Sequence, residues 1–272
     1  MMMLKDKIVV IYGGGAVGGA VARASAQAGA RVHLAGRSRA RLEEVASEIG
    51  AAVAVVDALD ERAVAEHADA VAAEAGGIDV ALNAVSFPFA HDAPFVELTV
   101  EEVMRPVEAY LRTNLITAKA VAQHMGARGS GTILTLSAGA ARAANAGSLG
   151  YGTACAAIET LTQRLAVELG PSGVRVVCLR PHLIADAPAH GSYTGALFER
   201  RAAAAGVGVE QLLANVPRNV TLLGRLPTLA DVADAAVFTA SDHAGAITGT
   251  VIDLTSGNAV RTTAGGLVGL LD

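Results

Sequence analysis

The chain has 272 residues, 52% of them hydrophobic and only 17% charged, a globular composition long enough to bury a large core within one α/β domain spanning 1–272. Its net charge of −5 is spread without a long basic run, which argues against a nucleic acid or an anionic membrane surface as the main partner. The two cysteines, Cys155 and Cys178, have no paired metal-ligand spacing and cannot staple a chain of this length, so a reducing cytoplasm and no metal site are expected.

Residues 1–12 run too quickly from charge into a short apolar stretch to form a signal peptide, and no segment reaches the roughly 20 apolar residues of a membrane span. Short β-branched apolar runs then alternate with longer alanine-rich helical patterns, the signature of a doubly wound parallel sheet. Seven strands are predicted at 7–12, 31–36, 51–57, 78–85, 131–138, 174–181 and 248–255. Helices are predicted near 16–28, 40–49, 60–75, 99–126, 151–169 and 228–241, several entered from Ser, Thr or Asp at N-cap positions. The stretch 182–226, with Pro, Gly and short helical pieces, is longer than a plain crossover needs. Ligands bind beyond the C-terminal strand ends of such sheets, so this insertion after strand six is a candidate substrate lid.

Directly after the first strand comes Gly13-Gly14-Gly15-Ala16-Val17-Gly18, a GxGxxG that opens the first helix. Gly13 permits a tight turn, Gly15 lets the backbone approach a pyrophosphate, and Gly18 brings the helix close to the sheet; with Val17 they form the predicted dinucleotide cradle. Strand two ends in Ala35-Gly36-Arg37-Ser38-Arg39. It lacks the carboxylate that would accept from a ribose 2′-hydroxyl, whereas Arg37 and Ser38 suit a 2′-phosphate, so NADP(H) is the expected cofactor. The alternative, in which Arg37, Arg39 and Arg41 merely solvate a helix start, fits Arg41 best. Asp57, closing strand three, suits either the adenine amino group or an ordinary cap.

These segments, together with 79–84 (DVALNA), Asn114 in the long fourth helix, Tyr151 opening the fifth, Arg180-Pro181 after strand six, Ile247-Thr248-Gly249 and 253–257 (DLTSG), resemble a short-chain dehydrogenase/reductase from about Lys7 to Val260. The resemblance implies a single-domain Rossmann fold, a nicotinamide cofactor, hydride transfer to or from a carbonyl or alcohol, and a homodimer or homotetramer built on the fourth and fifth helices. It also implies cofactor contacts at Asn83 and Pro181 and catalytic roles for Tyr151, Asn114 and a serine.

The departures bear on the chemistry. The glycine loop is one residue shorter than the family's, with Tyr12 in place of its threonine, and the family's Asn-Asn-Ala-Gly and Pro-Gly elements read Asn83-Ala84-Val85-Ser86 and Pro181-His182. The serine position falls on Ala138, so Ser137 serves only if the strand ends or bulges there. Cys155 stands where the family carries the lysine that holds the nicotinamide ribose and lowers the tyrosine pKa. An unassisted tyrosine titrates near pH ~10, a deficit of about 4 kcal/mol for a base at neutral pH, while the neutral phenol remains a competent acid for reduction. Of the lysines, Lys5 and Lys7 precede strand one and Lys119 lies about 140° around an ideal helix from Asn114. His182 and Arg180 are the candidates to supply a charge or proton instead, unless they are plain loop and strand-end residues.

Phe87, Phe89, Phe95, Tyr151, Tyr193 and Phe198 fall after strand ends or in the lid, as for a pocket that takes a partly apolar small molecule, or as loop anchors. Cys155 itself reads as an inert core residue more readily than a nucleophile. Three functions fit: an NADP(H)-dependent ketoreductase, a non-redox enzyme of the same fold (cyclase, isomerase or dehydratase), and a cofactor-binding protein without catalysis.

Overall fold

The computed structural model describes residues 2–89, 93–143, 147–192 and 194–258, apart from the side chains of 215–219. The strands are β1 (Ile8–Tyr12), β2 (Arg31–Gly36), β3 (Ala52–Val55), β4 (Val80–Asn83), β5 (Gly131–Leu136), β6 (Val174–Pro181) and β7 (Thr250–Leu254). They form one seven-stranded sheet in the order β3-β2-β1-β4-β5-β6-β7, parallel at every pairing. The helices that cross between them are α1 (Ala16–Gln27), α2 (Arg39–Ile49), α3 (Glu61–Ala75), α4 (Val100–Arg128), α5 (Leu149–Leu169) and α8 (Leu229–Ala240), with α6 (Thr194–Ala204) and α7 (Val209–Val220) inside the insertion.

β1 shows why the sequence folds this way. All five of its residues are buried, and alternate side chains serve opposite layers. Val9 and Ile11 join the core under α1, α2 and α8, including Val21, Val45 and Val237. Ile8, Val10 and Tyr12 join the core under α3 and α4, including Val64, Val121 and Met125. The helices start where short polar side chains replace missing backbone acceptors: Asp60 accepts from Ala63 N–H at 3.0 Å, and Thr99 with Glu102 and Thr228 with Asp231 form capping boxes.

Strand order reverses between β1 and β4, which places the binding crevice beyond Tyr12 and Asn83, paired residues at the ends of these strands. The insertion is pinned at its neck, where Ala185 N–H donates to Pro227 O at 2.9 Å and Leu229 N–H to Asp186 Oδ1 at 2.9 Å. Beyond the neck it carries a small apolar cluster of its own, with Phe198, Ala202 and Leu212 buried.

Tyr12 sends its ring away from the crevice, and its hydroxyl lies 3.2 Å from His67 Nδ1. Burial pushes His67 down to about 4 and raises Tyr12 well above its usual range; burial likewise holds His182 at about 4. A histidine whose folded pKa lies below its unfolded value of about 6.5 gives full stability above pH ~6.5 and loses it as pH falls toward 4. Urea denaturation should show a loss of about 2 kcal/mol per such histidine between pH 7.5 and pH 5, with a shallower slope in His67→Gln. An unchanged midpoint over that interval would contradict the buried neutral imidazoles.

Candidate active site

The crevice opens into a cavity of about 440 Å³ with glycine-loop residues at its wall and Tyr151 on the same wall surface. Gly13 has φ +109°, and a Cβ there would lie 2.6 Å from Ala84 O; a Cβ on Gly18 would run into the Gly13 carbonyl oxygen. Both positions therefore exclude a side chain. Gly15, the N-cap of α1, has no side chain to offer, no acidic residue occupies the first turn, and a Cβ on it would meet nothing within 4 Å. The first-turn N–H groups, at Ala16, Val17 and Gly18, have no intrahelical acceptors and carry the positive end of the helix dipole. Gly15, Ala16 and Val17 line the cavity. This donor set fits the pyrophosphate of a dinucleotide.

At the neighbouring strand ends, Arg37 is exposed with its guanidinium carbon 6.0 Å from the Phe87 ring centroid, and Ser38 is the N-cap of α2 without using its hydroxyl for capping. Arg39 pairs with Glu43 on the surface. Arg41 differs from the solvated role that suits it in sequence: it lines the cavity, and its Nη1 lies 3.5 Å from Gly191 O in the insertion. Asp57 uses Oδ1 to accept from Leu59 N–H at 3.0 Å, closing the turn before α3, whose cap is Asp60.

Asn83 is buried and acts on the loop that follows it. Its Oδ1 accepts from Val85 N–H at 3.1 Å and its Nδ2 donates to Thr117 Oγ1 at 3.1 Å, tying the cavity-lining Ala84 and Val85 to α4. Asn114, one helical turn further toward the α4 N-terminus, donates from Nδ2 to Tyr110 O at 2.9 Å. Its buried Oδ1 has no partner among the described residues. Pro181 ends β6 in the cavity wall.

β5 stops at Leu136, so Ser137 and Ala138 both reach the cavity. The Ser137 Oγ donates to Glu159 Oε1 at 3.0 Å, which leaves its lone pairs, rather than its proton, for anything in the cavity. Glu159 is buried and also accepts from Arg180 Nη1 at 3.1 Å through both carboxylate oxygens. Arg180 Nη2 in turn donates to Asp253 Oδ2 at 2.9 Å, and Arg142 Nε lies 3.5 Å from Glu159. Two carboxylates thus compensate Arg180, the buried cation nearest in sequence to Pro181.

Cys155 is 2% exposed. Burial pushes its thiol up to about 12, although the Tyr151 side chain and the Ala138 backbone hydrogen-bond it. The Cys155 thiol therefore stays protonated and uncharged at neutral pH. His182, held at about 4 by burial, is neutral there as well and brings no positive charge. Lys119 is engaged with Glu61 at 2.6 Å and Lys7 with Asp242 at 3.3 Å, both on the surface.

Phe89, Tyr151 and Phe198 line the cavity; Phe87 packs edge-on against Tyr110 at 5.5 Å. Two aromatics depart from the sequence expectation. Tyr110, in the middle of α4, lines the cavity, and Phe95 stands 73% exposed outside it. Tyr193 lies outside the described residues.

A parallel sheet with a glycine-loop cradle at its switch point and a tyrosine in the adjoining cavity defines a Rossmann-fold protein of the dehydrogenase type. A model of the family described as enoyl-(acyl carrier protein) reductase matches residues 14–258. The chain belongs to this family, within the short-chain dehydrogenase/reductase superfamily of nicotinamide-dependent oxidoreductases. An uncharacterized oxidoreductase of Staphylococcus aureus strain MRSA252 is 28% identical over 188 residues, 68% of this chain and 80% of the relative. A short-chain type dehydrogenase/reductase from Mycobacterium ulcerans superposes with a TM-score of 0.82 at 26% identity, covering 95% of this chain and 91% of the other. A Brucella melitensis structure described as ribose-5-phosphate isomerase is similar at 30% identity and TM-score 0.80, covering 96% and 95% of the two chains. No helix among the described residues is long and apolar enough to cross a membrane.

Proposed function

We propose that the protein is an NADP(H)-dependent reductase of small, partly apolar carbonyl compounds, with Tyr151 as the proton donor. The observation that carries this reading is the single cavity shared by the α1 N-terminus and Tyr151. When bound, the nicotinamide supplies the hydride. The α1 amide groups and Gly15 hold the pyrophosphate, and Arg37 and Ser38 face the 2′-phosphate, with no carboxylate at the end of β2 to repel it. Tyr151 donates its phenolic proton to the developing alkoxide. Asn114 braces the α4 turn against which the tyrosine cluster packs, and Ser137 offers an acceptor to a substrate hydroxyl. The insertion 182–226 serves as the substrate lid, its Leu183, Ile184, Leu197 and Phe198 giving the cavity an apolar wall that excludes water.

Calorimetric titration should show tighter binding of NADPH than of NADH, and Arg37→Ala should remove most of that preference. Equal affinities in the parent, or full preference in the variant, would sink the 2′-phosphate assignment.

Assembly follows from exposed apolar side chains on the long helices. Val100, Met104 and Leu115 on α4 and Leu149 and Val167 on α5 are 40 to 72% exposed, a surface suited to a homodimer or homotetramer. Light scattering at micromolar concentration should give a dimer or tetramer; a monomer would count against it. Two buried, reduced cysteines accord with a cytoplasmic site of action.

A non-redox reaction is the second reading, favoured by the protonated, uncharged Cys155 thiol that hydrogen-bonds the Tyr151 side chain. The Cys155 thiol is protonated and Arg180 is compensated by two carboxylates, so neither brings an uncompensated positive charge to the site. Isomerisation or dehydration would then use the same phenol as an acid.

A further inference from the structure

We propose that Phe89 is a positioning residue for Tyr151, fixing the orientation of its phenol ring by stacking. The inference rests on the reductase reading for its effect on turnover, and on the geometry alone for the stack itself. The two rings lie 4.2 Å apart between centroids and 11° from parallel. Tyr110 flanks the same tyrosine at 5.9 Å and 58°.

A tyrosine in the first turn of a helix has its Cα fixed but keeps its side-chain torsions. The neighbour one turn on is a buried thiol, which offers a single weak hydrogen bond and no charge to hold the hydroxyl. Parallel contact with Phe89 restricts the ring plane, and Tyr110 closes a second side. The stack acts on the ring, while the Tyr151 side chain keeps its hydrogen bond with the Cys155 thiol.

Phe89 is itself well placed to do this, because the chain leading to it is tied to α4 at two residues, Thr117 and Tyr110. Asn83 bonds Thr117 at 3.1 Å and the Val85 N–H at 3.1 Å. The Phe87 N–H donates to Tyr110 Oη at 3.3 Å, and the Phe87 ring meets Tyr110 edge-on at 5.5 Å and 90°. The loop after β4 is therefore a bracket anchored on α4, and Phe89 is its contact with Tyr151. An orientation error of about 1 Å at a reacting group is enough to cost about 100-fold in rate.

The test compares the parent with Phe89→Leu, which keeps apolar bulk but loses the ring, and Phe89→Tyr, which keeps the ring. The chain has four tyrosines and no tryptophan, so ring-labelled tyrosine gives a resolvable NMR spectrum, with Tyr151 identified by its disappearance in Tyr151→Phe. Without cofactor, Phe89→Leu should move the Tyr151 ring resonances downfield as ring-current shielding is lost, and Phe89→Tyr should return them. With NADPH and a ketone that the parent reduces, Phe89→Leu should lower kcat roughly 10- to 100-fold with KM little changed, and Phe89→Tyr should restore it. Unmoved Tyr151 resonances, an unchanged kcat, or a loss confined to KM would overturn the positioning role. If the parent oxidises no NADPH with any ketone, the reductase reading fails, and the resonance shift still decides whether Phe89 orients Tyr151.

Discussion

Under the proposed function, Tyr151→Phe should abolish carbonyl reduction, with kcat falling at least about 100-fold, while NADPH affinity by calorimetry should stay at the parent value. The substitution deletes one oxygen and keeps the ring that stacks on Phe89 at 4.2 Å, so the packing of the α5 N-terminus is preserved. Three of the cavity-lining groups are poor replacements for the lost proton. The Cys155 thiol is pushed up to about 12 by burial, His182 is neutral with its pKa near 4, and the Ser137 proton is committed to Glu159. The cofactor contacts assigned to the glycine loop are made by other residues of the cavity wall and do not involve the phenol. A variant that reduces the same ketone at the parent rate would make Tyr151 structural and the mechanism wrong.

Glu159→Ala should destabilise the fold by about 3 kcal/mol in urea or guanidinium denaturation, because removing one partner of a buried ion pair strands the other. Glu159 is 5% exposed and Arg180 8% exposed. Among the described residues the guanidinium has one buried nitrogen, Nε, without a partner already, and without Glu159 it retains among them only Asp253, whose side chain is 34% exposed. That remaining contact with a partly solvated carboxylate is what keeps the cost at the lower end of the range for broken buried pairs. The same variant frees the Ser137 hydroxyl to turn toward the cavity. Glu159→Gln, which keeps the shape and two hydrogen-bonding atoms, should lose less. A full-strength fold in Glu159→Ala would mean that the Arg180 charge is compensated elsewhere.

Much of this fold is legible in the sequence because central parallel strands are written as unbroken β-branched runs. Ile8–Tyr12 and Val174–Pro181 are predicted nearly to the residue, being buried on both faces. The edge strand Ala52–Val55 is shorter than the predicted 51–57, since it pairs only with β2. β4 ends at Asn83 instead of residue 85 because the Asn83 side chain captures the Val85 N–H and turns the chain. The helices of the insertion appear in the sequence only as short pieces, since they bury a local cluster around Phe198 and Leu212 rather than the main core.

The glycine loop is legible at Gly13 and Gly18, which close approaches force to be glycine. Glu159 is missed for a physical reason: a lone carboxylate in an alanine-rich helix reads as solvent-facing. The signal lay elsewhere, in two arginines within the otherwise apolar strand VRVVCLRP, which demand buried acceptors, and in the i, i+4, i+8 spacing that puts Tyr151, Cys155 and Glu159 on one face. Tyr110 is missed in the same way, although it precedes Asn114 by one helical turn and shares its face. Arg41 escapes because nothing local shows that residue 191 of a distant loop comes back over α2.

The most direct measurement of the central claim is a single-turnover reaction of the protein with stoichiometric NADPH and a panel of apolar ketones and aldehydes, following nicotinamide absorbance and product together. The account predicts loss of the reduced-nicotinamide absorbance matched mole for mole by alcohol, and no such loss in Tyr151→Phe. Conversion of a substrate with the nicotinamide absorbance unchanged would contradict it and assign the site to non-redox chemistry.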